Sequence, residues 1–122
     1  MARANIAVLE TGQFYGIRFN CPGCAAGKPG DFPGAVVLPV YWTPKGYERA
    51  PMLKDTKCWG FNGDLERPTF TPSILSSASY GEERTPFQCH SFVRDGRIEF
   101  LSDCTHALAG QTVDLPEFGS EP

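Results

Sequence analysis

Four of the five cysteines and both histidines of this chain fall in two short clusters that lie far apart in sequence. The first cluster is Cys21-Pro22-Gly23-Cys24. The second is Cys89-His90 followed by Cys104-Thr105-His106. A Cys-x-x-Cys turn aims two thiolates at one tetrahedral ion and leaves two positions for ligands from elsewhere. The downstream cluster offers four candidates. The pattern therefore predicts one structural zinc site that ties the N-terminal third of the chain to the C-terminal third. Two other readings compete with it. A thioredoxin-like redox pair needs a helix after the motif within a βαβ pattern, but residues 25–34 are broken by Gly27, Pro29, Gly30, Pro33 and Gly34, which cannot sustain one. Disulfides would leave one of the five thiols over. They also suit exported proteins, whereas residues 1–11 carry one Arg and no apolar run of leader length,.

The rest of the composition points the same way. The chain has 13 Gly and 11 Pro among 122 residues, a density that favours short strands and turns over helices. The expected fold is mainly β: one small domain over residues 1–122, built of hairpins and a meander, with little helix and one zinc staple. Residues 25–55 read as an insertion or loop region and residues 117–122 as a frayed tail. No apolar run reaches the roughly 18 residues of a membrane span. The net charge is −3, and residues 51–122 hold most of the acidic side chains. There is no basic stripe, so nucleic acid is not an expected partner. Thiols without an export leader suggest a reducing cytoplasm.

Strand signals can be placed along the chain. Residues 5–10 are apolar. Residues 13–20 alternate, with Tyr15, Ile17 and Phe19 on the apolar face. Residues 35–42 are β-branched and aromatic, with Pro39 assigning them to an edge, and residues 43–55 read as a Pro-punctuated loop. Asn62-Gly63 predicts a two-residue hairpin turn between residues 57–61 and 64–70. Residues 73–75 read as a short strand and 76–86 as a polar loop. The clearest segment is the hairpin at Asp95-Gly96. It opposes Arg94 to Arg97, Val93 to Ile98, Phe92 to Glu99, Ser91 to Phe100 and His90 to Leu101, with Ser91, Val93, Ile98 and Phe100 on the core side. A small-residue turn at 107–110 leads to a strand over 111–115.

The open end of that hairpin gathers the downstream ligand candidates. Cys21 and Cys24 are the firm pair. Strict alternation puts Cys89 on the core face and His90 on the other, but strand ends twist, so alternation alone leaves the choice open. The favoured set is Cys21, Cys24 and His90 with one or both of Cys104 and His106. Cys89 reads as a buried thiol and Cys58 as a strand cysteine outside the site. Asp103 reads as a turn residue or an acceptor that orients an imidazole. Its sharper role is a general base beside a zinc-bound water. No residue is assigned a catalytic role by motif. His-Glu-x-x-His is absent, as are the zinc deaminase signature and a Walker loop. A Ser/His/Asp set stays open, although the chain has no nucleophile-elbow motif.

Several strings carry a family resemblance. They are Trp59-Gly60-Phe61-Asn62-Gly63, Pro68-Thr69-Phe70-Thr71-Pro72-Ser73, residues 89–98 beginning Cys89-His90-Ser91, and Asp103-Cys104-Thr105-His106-Ala107-Leu108-Ala109-Gly110-Gln111. They resemble a family of small phage and prophage zinc-binding proteins with no settled activity, some of which carry the automatic label "ammonia monooxygenase". The resemblance spans roughly residues 57–116, with the Cys21 motif as its N-terminal counterpart. It implies a phage-encoded protein working in the host cytoplasm. Two functions are then expected. The first is a zinc-stabilised protein-binding module that engages a host or phage protein and blunts a defence, with residues 43–55 as its contact loop. The second is a small zinc-dependent hydrolase of a nucleotide or peptide, with Asp103 as general base.

Overall fold

The computed structural model describes residues 2–23, 35–80 and 82–117. Cys24, most of the expected insertion before residue 35 and the tail from residue 118 lie outside the described residues. The fold is mainly β, as the turn-rich composition predicts, and among the described residues no helix reaches seven residues. Strands β1 (Ala4–Val8), β2 (Phe14–Asn20) and β3 (Ala35–Leu38) form a three-stranded antiparallel sheet in that order. Strands β4 (Gly60–Phe61), β5 (Phe70–Tyr80), β6 (Thr85–Arg94), β7 (Arg97–Phe100) and β8 (Thr112–Asp114) form a second antiparallel sheet, also in chain order.

Alternation explains which side chains form the core. Ile17 and Phe19 of β2 are buried, as are Phe87, Cys89, Ser91 and Val93 of β6 and Ile98 and Phe100 of β7. All of these but Ser91 belong, with Phe70 of β5, to one hydrophobic core, in which Phe19 stacks on Phe70 with ring centroids 5.5 Å apart. Phe14, read as lying opposite the apolar face of β2, is buried too. Its ring meets Trp42 edge-on at 6.1 Å.

The β6–β7 hairpin has the register read from the sequence, from Arg94↔Arg97 to Ser91↔Phe100. Asp95 and Gly96 both have positive φ, as a type I′ turn requires. Beyond the ladder, the Leu101 amide donates to the His90 carbonyl at 2.9 Å.

Two expectations differ. Asn62-Gly63 is not a two-residue hairpin turn, because Phe61 pairs with Phe70 and residues 62–69 form the connection. The Asn62 side chain organises that loop. It accepts from the amides of Asp64 and Thr69 and donates to the Arg67 carbonyl, so a residue that reads as a turn former acts as a loop brace. Residues 76–86 are not one polar loop either. Strand β5 runs through Tyr80 and β6 starts at Thr85, with pairs from Ile74↔Ser91 to Tyr80↔Thr85. A strand with one face in water needs few apolar residues on that face, which is why a segment with exposed Ser77 reads as loop. The segment 43–55 contains a short 3-10 helix, Pro51–Asp55, anchored by buried Leu53. Among the described residues no helix is long and apolar enough to cross a membrane.

Candidate active site

The outer face of the five-stranded sheet carries a hydrogen-bonded serine, histidine and aspartate. Alternation along β6 buries Cys89 and Ser91 and turns His90 outward,. Leu75 of β5 lies opposite His90, and Ser73 lies two residues before Leu75. The β5 register shifts between Phe70 and Ile74, and the Thr71–Pro72 peptide is cis. The Trp59 indole N–H donates to the Ser73 carbonyl at 3.2 Å, which fixes the backbone at this irregular point. The Ser73 hydroxyl lies 3.1 Å from His90 Nε2. On the other side of the ring, Asp103 Oδ2 lies 3.1 Å from Nδ1.

An ionised carboxylate only accepts hydrogen bonds. Nδ1 therefore donates to Asp103, and in the neutral imidazole this leaves Nε2 as the acceptor for the Ser73 hydroxyl. The His90 side chain is 26% exposed and that of Asp103 48%, so the arrangement is open to solvent. Gln88 holds the aspartate in place. Its side-chain amide donates to Asp103 Oδ2 at 2.9 Å and to the Asp103 carbonyl at 3.1 Å. Its backbone pairs with the same loop, since the Thr105 amide donates to the Gln88 carbonyl at 2.9 Å and the Gln88 amide donates to Thr105 Oγ1 at 3.0 Å. Such a chain makes a hydroxyl nucleophilic by giving its proton a place to go.

A second constellation lies on the inner side of the same strand. One ligand atom from each of Cys89, Cys104 and His106 lies within 4.8 Å of the others, and all three residues are buried. Cys21 Sγ is 3.7 Å from Cys89 Sγ, and His106 Nε2 is 3.3 Å from it. Pro22 and Gly23 are helical, and Gly23 lets the segment after Cys21 approach this group, because a Cβ there would collide with the His106 ring and meet Phe100 at 2.7 Å. Burial holds the His106 imidazole below the ordinary histidine range, and the charge at Cys21 opposes that shift. The ring is thus neutral at pH 7, the form that ligates a metal. Soft sulfur donors with one imidazole are a donor set that can hold a metal ion.

The sequence-predicted ligands divide between the two constellations. Cys104 and His106 lie in the buried group, with Cys21 beside Cys89. Cys24 lies outside the described residues. The His90 ring faces Ser73 and Asp103 instead, and Cys89, read as a core thiol, occupies the group. Cys58 is buried elsewhere, its thiol 3.3 Å from the Thr56 carbonyl.

The two constellations are joined back to back. Cys89 adjoins His90 and Asp103 adjoins Cys104. The His90 amide lies 3.2 Å from Cys104 Sγ, and the same sulfur lies 3.2 Å from the His90 carbonyl. Sequence reasoning missed Ser73. No elbow motif marks it, and the one local signal is the Pro-flanked string Thr69-Phe70-Thr71-Pro72-Ser73.

Comparison with known proteins gives a family match. Residues 40–101 match the family described as bacterial ubiquitination-like system serine protease (BubE). The matched span contains Ser73, Cys89 and His90 and ends just before Asp103. The searches of curated proteins and of solved structures returned no match. The family match overturns the phage accessory binding module expected from the sequence, since a serine protease family of a bacterial system takes its place. The chain belongs to the BubE family of bacterial ubiquitination-like system serine proteases.

Proposed function

We propose that this chain is a serine protease with Ser73 as nucleophile, His90 as general base and Asp103 as the residue that orients His90. One observation carries the reading: the unbroken hydrogen-bonded chain from Ser73 Oγ through both nitrogens of His90 to Asp103 Oδ2. Ser73 Oγ attacks the scissile carbonyl carbon as its proton passes to His90 Nε2. Asp103 stabilises the resulting imidazolium without taking its proton. His90 then gives the proton to the leaving amine as the C–N bond breaks, which leaves an acyl group on Ser73. A water molecule, deprotonated by the same nitrogen, releases the acid and restores the hydroxyl. Hydrolysis, the second function expected from the sequence, is retained here. The role of Asp103 changes from base on a zinc-bound water to partner of His90.

A covalent intermediate is the testable core of this mechanism. With p-nitrophenyl acetate, product should appear in a burst close to one equivalent of enzyme, followed by slower turnover. Release that is linear from the first turnover, under conditions that resolve a burst, would count against acylation of Ser73. Gln88 is a positioning residue. Gln88→Ala should lower kcat by about tenfold, the scale of one lost hydrogen bond to a charged group, with KM little changed. An unchanged kcat would show that the Asp103 loop holds its place without the amide.

For the buried group we propose zinc in a structural role. Cys89, Cys104 and His106 would supply three ligands, and the Cys21 motif the fourth. The zinc would supply a crosslink between the Cys21 turn and the strand that carries His90. All of the chemistry on substrate stays on the outer face.

A further inference from the structure

Among the described residues the outer edge of β5 beyond Ser73 is open, and its backbone orientation can be derived residue by residue. In an antiparallel ladder, the N–H and C=O of one residue point to the same side, and alternate residues point to opposite sides. The His90 carbonyl accepts from Leu101, away from β5. Its partner Leu75 is therefore in a non-hydrogen-bonded pair, with its own N–H and C=O pointing outward. The Gln88 amide and carbonyl both bond to Thr105, so its partner Ser77 also points outward. Ser79 lies opposite Pro86, which has no N–H to offer. Toward Ser73 the edge closes. Gly60 pairs with Thr71, and the Trp59 indole takes the Ser73 carbonyl. Among the described residues, the backbone groups of Leu75 and Ser77 have no partner on this side.

The direction of attack favours the same edge. His90 reaches Ser73 Oγ from the β6 side, so the hydroxyl proton points toward β6. An incoming carbonyl carbon must meet the oxygen from another side, and among the described residues the β5 edge is open. A chain added to β5 would lie about 4.8 Å away and would end level with Ser73, where Trp59 stops it. Leu75 is 56% exposed and shares the face of Ser73, so it would offer an apolar contact beside the scissile bond.

We infer that the substrate is an extended, unfolded peptide segment that binds as an added strand on the outer edge of β5, paired to the backbone of Leu75 and Ser77, with its scissile bond at Ser73. This rests on the protease reading above. Strand addition takes its affinity from main-chain hydrogen bonds and its selectivity from alternate side chains. It therefore requires a tail or linker whose own amides are free, not a folded surface.

The test uses the full-length protein and a library of unfolded peptides from a digested proteome, with cut sites read by mass spectrometry. The best-cut peptide is then resynthesised with single backbone N-methyl groups at successive positions. N-methylation should raise KM by about tenfold at alternate residues on one side of the cut and have little effect at those between. Ser77→Pro removes an outward N–H, a position where a strand edge accepts proline. It should also raise KM about tenfold on the unmodified peptide, with its fold checked by circular dichroism. If that variant does not fold, the N-methyl series alone decides. A series without alternation overturns the inference. So does a wild-type protein that cuts no library peptide although a fluorophosphonate labels its Ser73. Absence of that labelling would count against the protease reading itself.

Discussion

Ser73→Ala is expected to lower kcat for peptide-bond cleavage by roughly 10⁶-fold, because alanine leaves no oxygen to form the acyl intermediate. Members of such a set act as a unit, so His90→Ala should cost nearly as much. The double variant should be hardly worse than either single one. Asp103→Asn should cost about 10⁴-fold in kcat, since an amide nitrogen at that position favours the wrong imidazole tautomer. None of the three changes touches the core, so thermal midpoints should stay within a few degrees of wild type. A Ser73→Ala protein that retains turnover lost on zinc removal would return the chemistry to a metal-bound water.

The second large effect concerns the buried group. Cys89→Ser should remove one of the ligands. It should lower the thermal midpoint by more than roughly 10 °C or yield insoluble protein, since ligation free energy is folding free energy when the unfolded chain has no site. Cys58→Ser, at a buried cysteine outside the group, should do much less. Activity should follow metal content as well as stability. Cys104 Sγ lies against both backbone polar atoms of His90, and Asp103 immediately precedes Cys104 in the chain. A chelator should therefore lower the midpoint and the catalytic rate together in wild-type protein. Equal effects from Cys89→Ser and Cys58→Ser would mean that burial alone explains both cysteines. Elemental analysis of protein purified without added zinc should find about one equivalent.

The sequence was most informative where pattern and turn chemistry agree. The Asp95-Gly96 turn and the alternation around it gave the β6–β7 register without error over four residue pairs. The same alternation separates Cys89 from His90, because neighbouring strand residues face opposite sides of a sheet. Taken strictly, it assigns Cys89 to the interior and His90 to the surface, which is where the structure puts them. Allowing for twisted strand ends blurred that distinction and drew His90 into the ligand set. Ser73 was not legible for another reason. Its nearest signal is a pair of prolines, and what makes it distinctive is the shifted register of β5 and the reach of His90 from the next strand. Both depend on tertiary pairing between residues far apart in sequence. Strand β5 was hidden by its serines, which read as loop in one dimension although their backbone pairs with β6 in three.

The central claim is that Ser73 is activated by His90, and one measurement addresses it directly. The protein is treated with diisopropyl fluorophosphate, digested, and the adduct located by peptide mass spectrometry. The expected result is a single adduct on Ser73, formed at a rate that collapses in His90→Ala, while Ser91 of β6 and the remaining serines of β5 stay unmodified. A wild-type protein with no adduct, or with its adduct on a different serine, would contradict the claim.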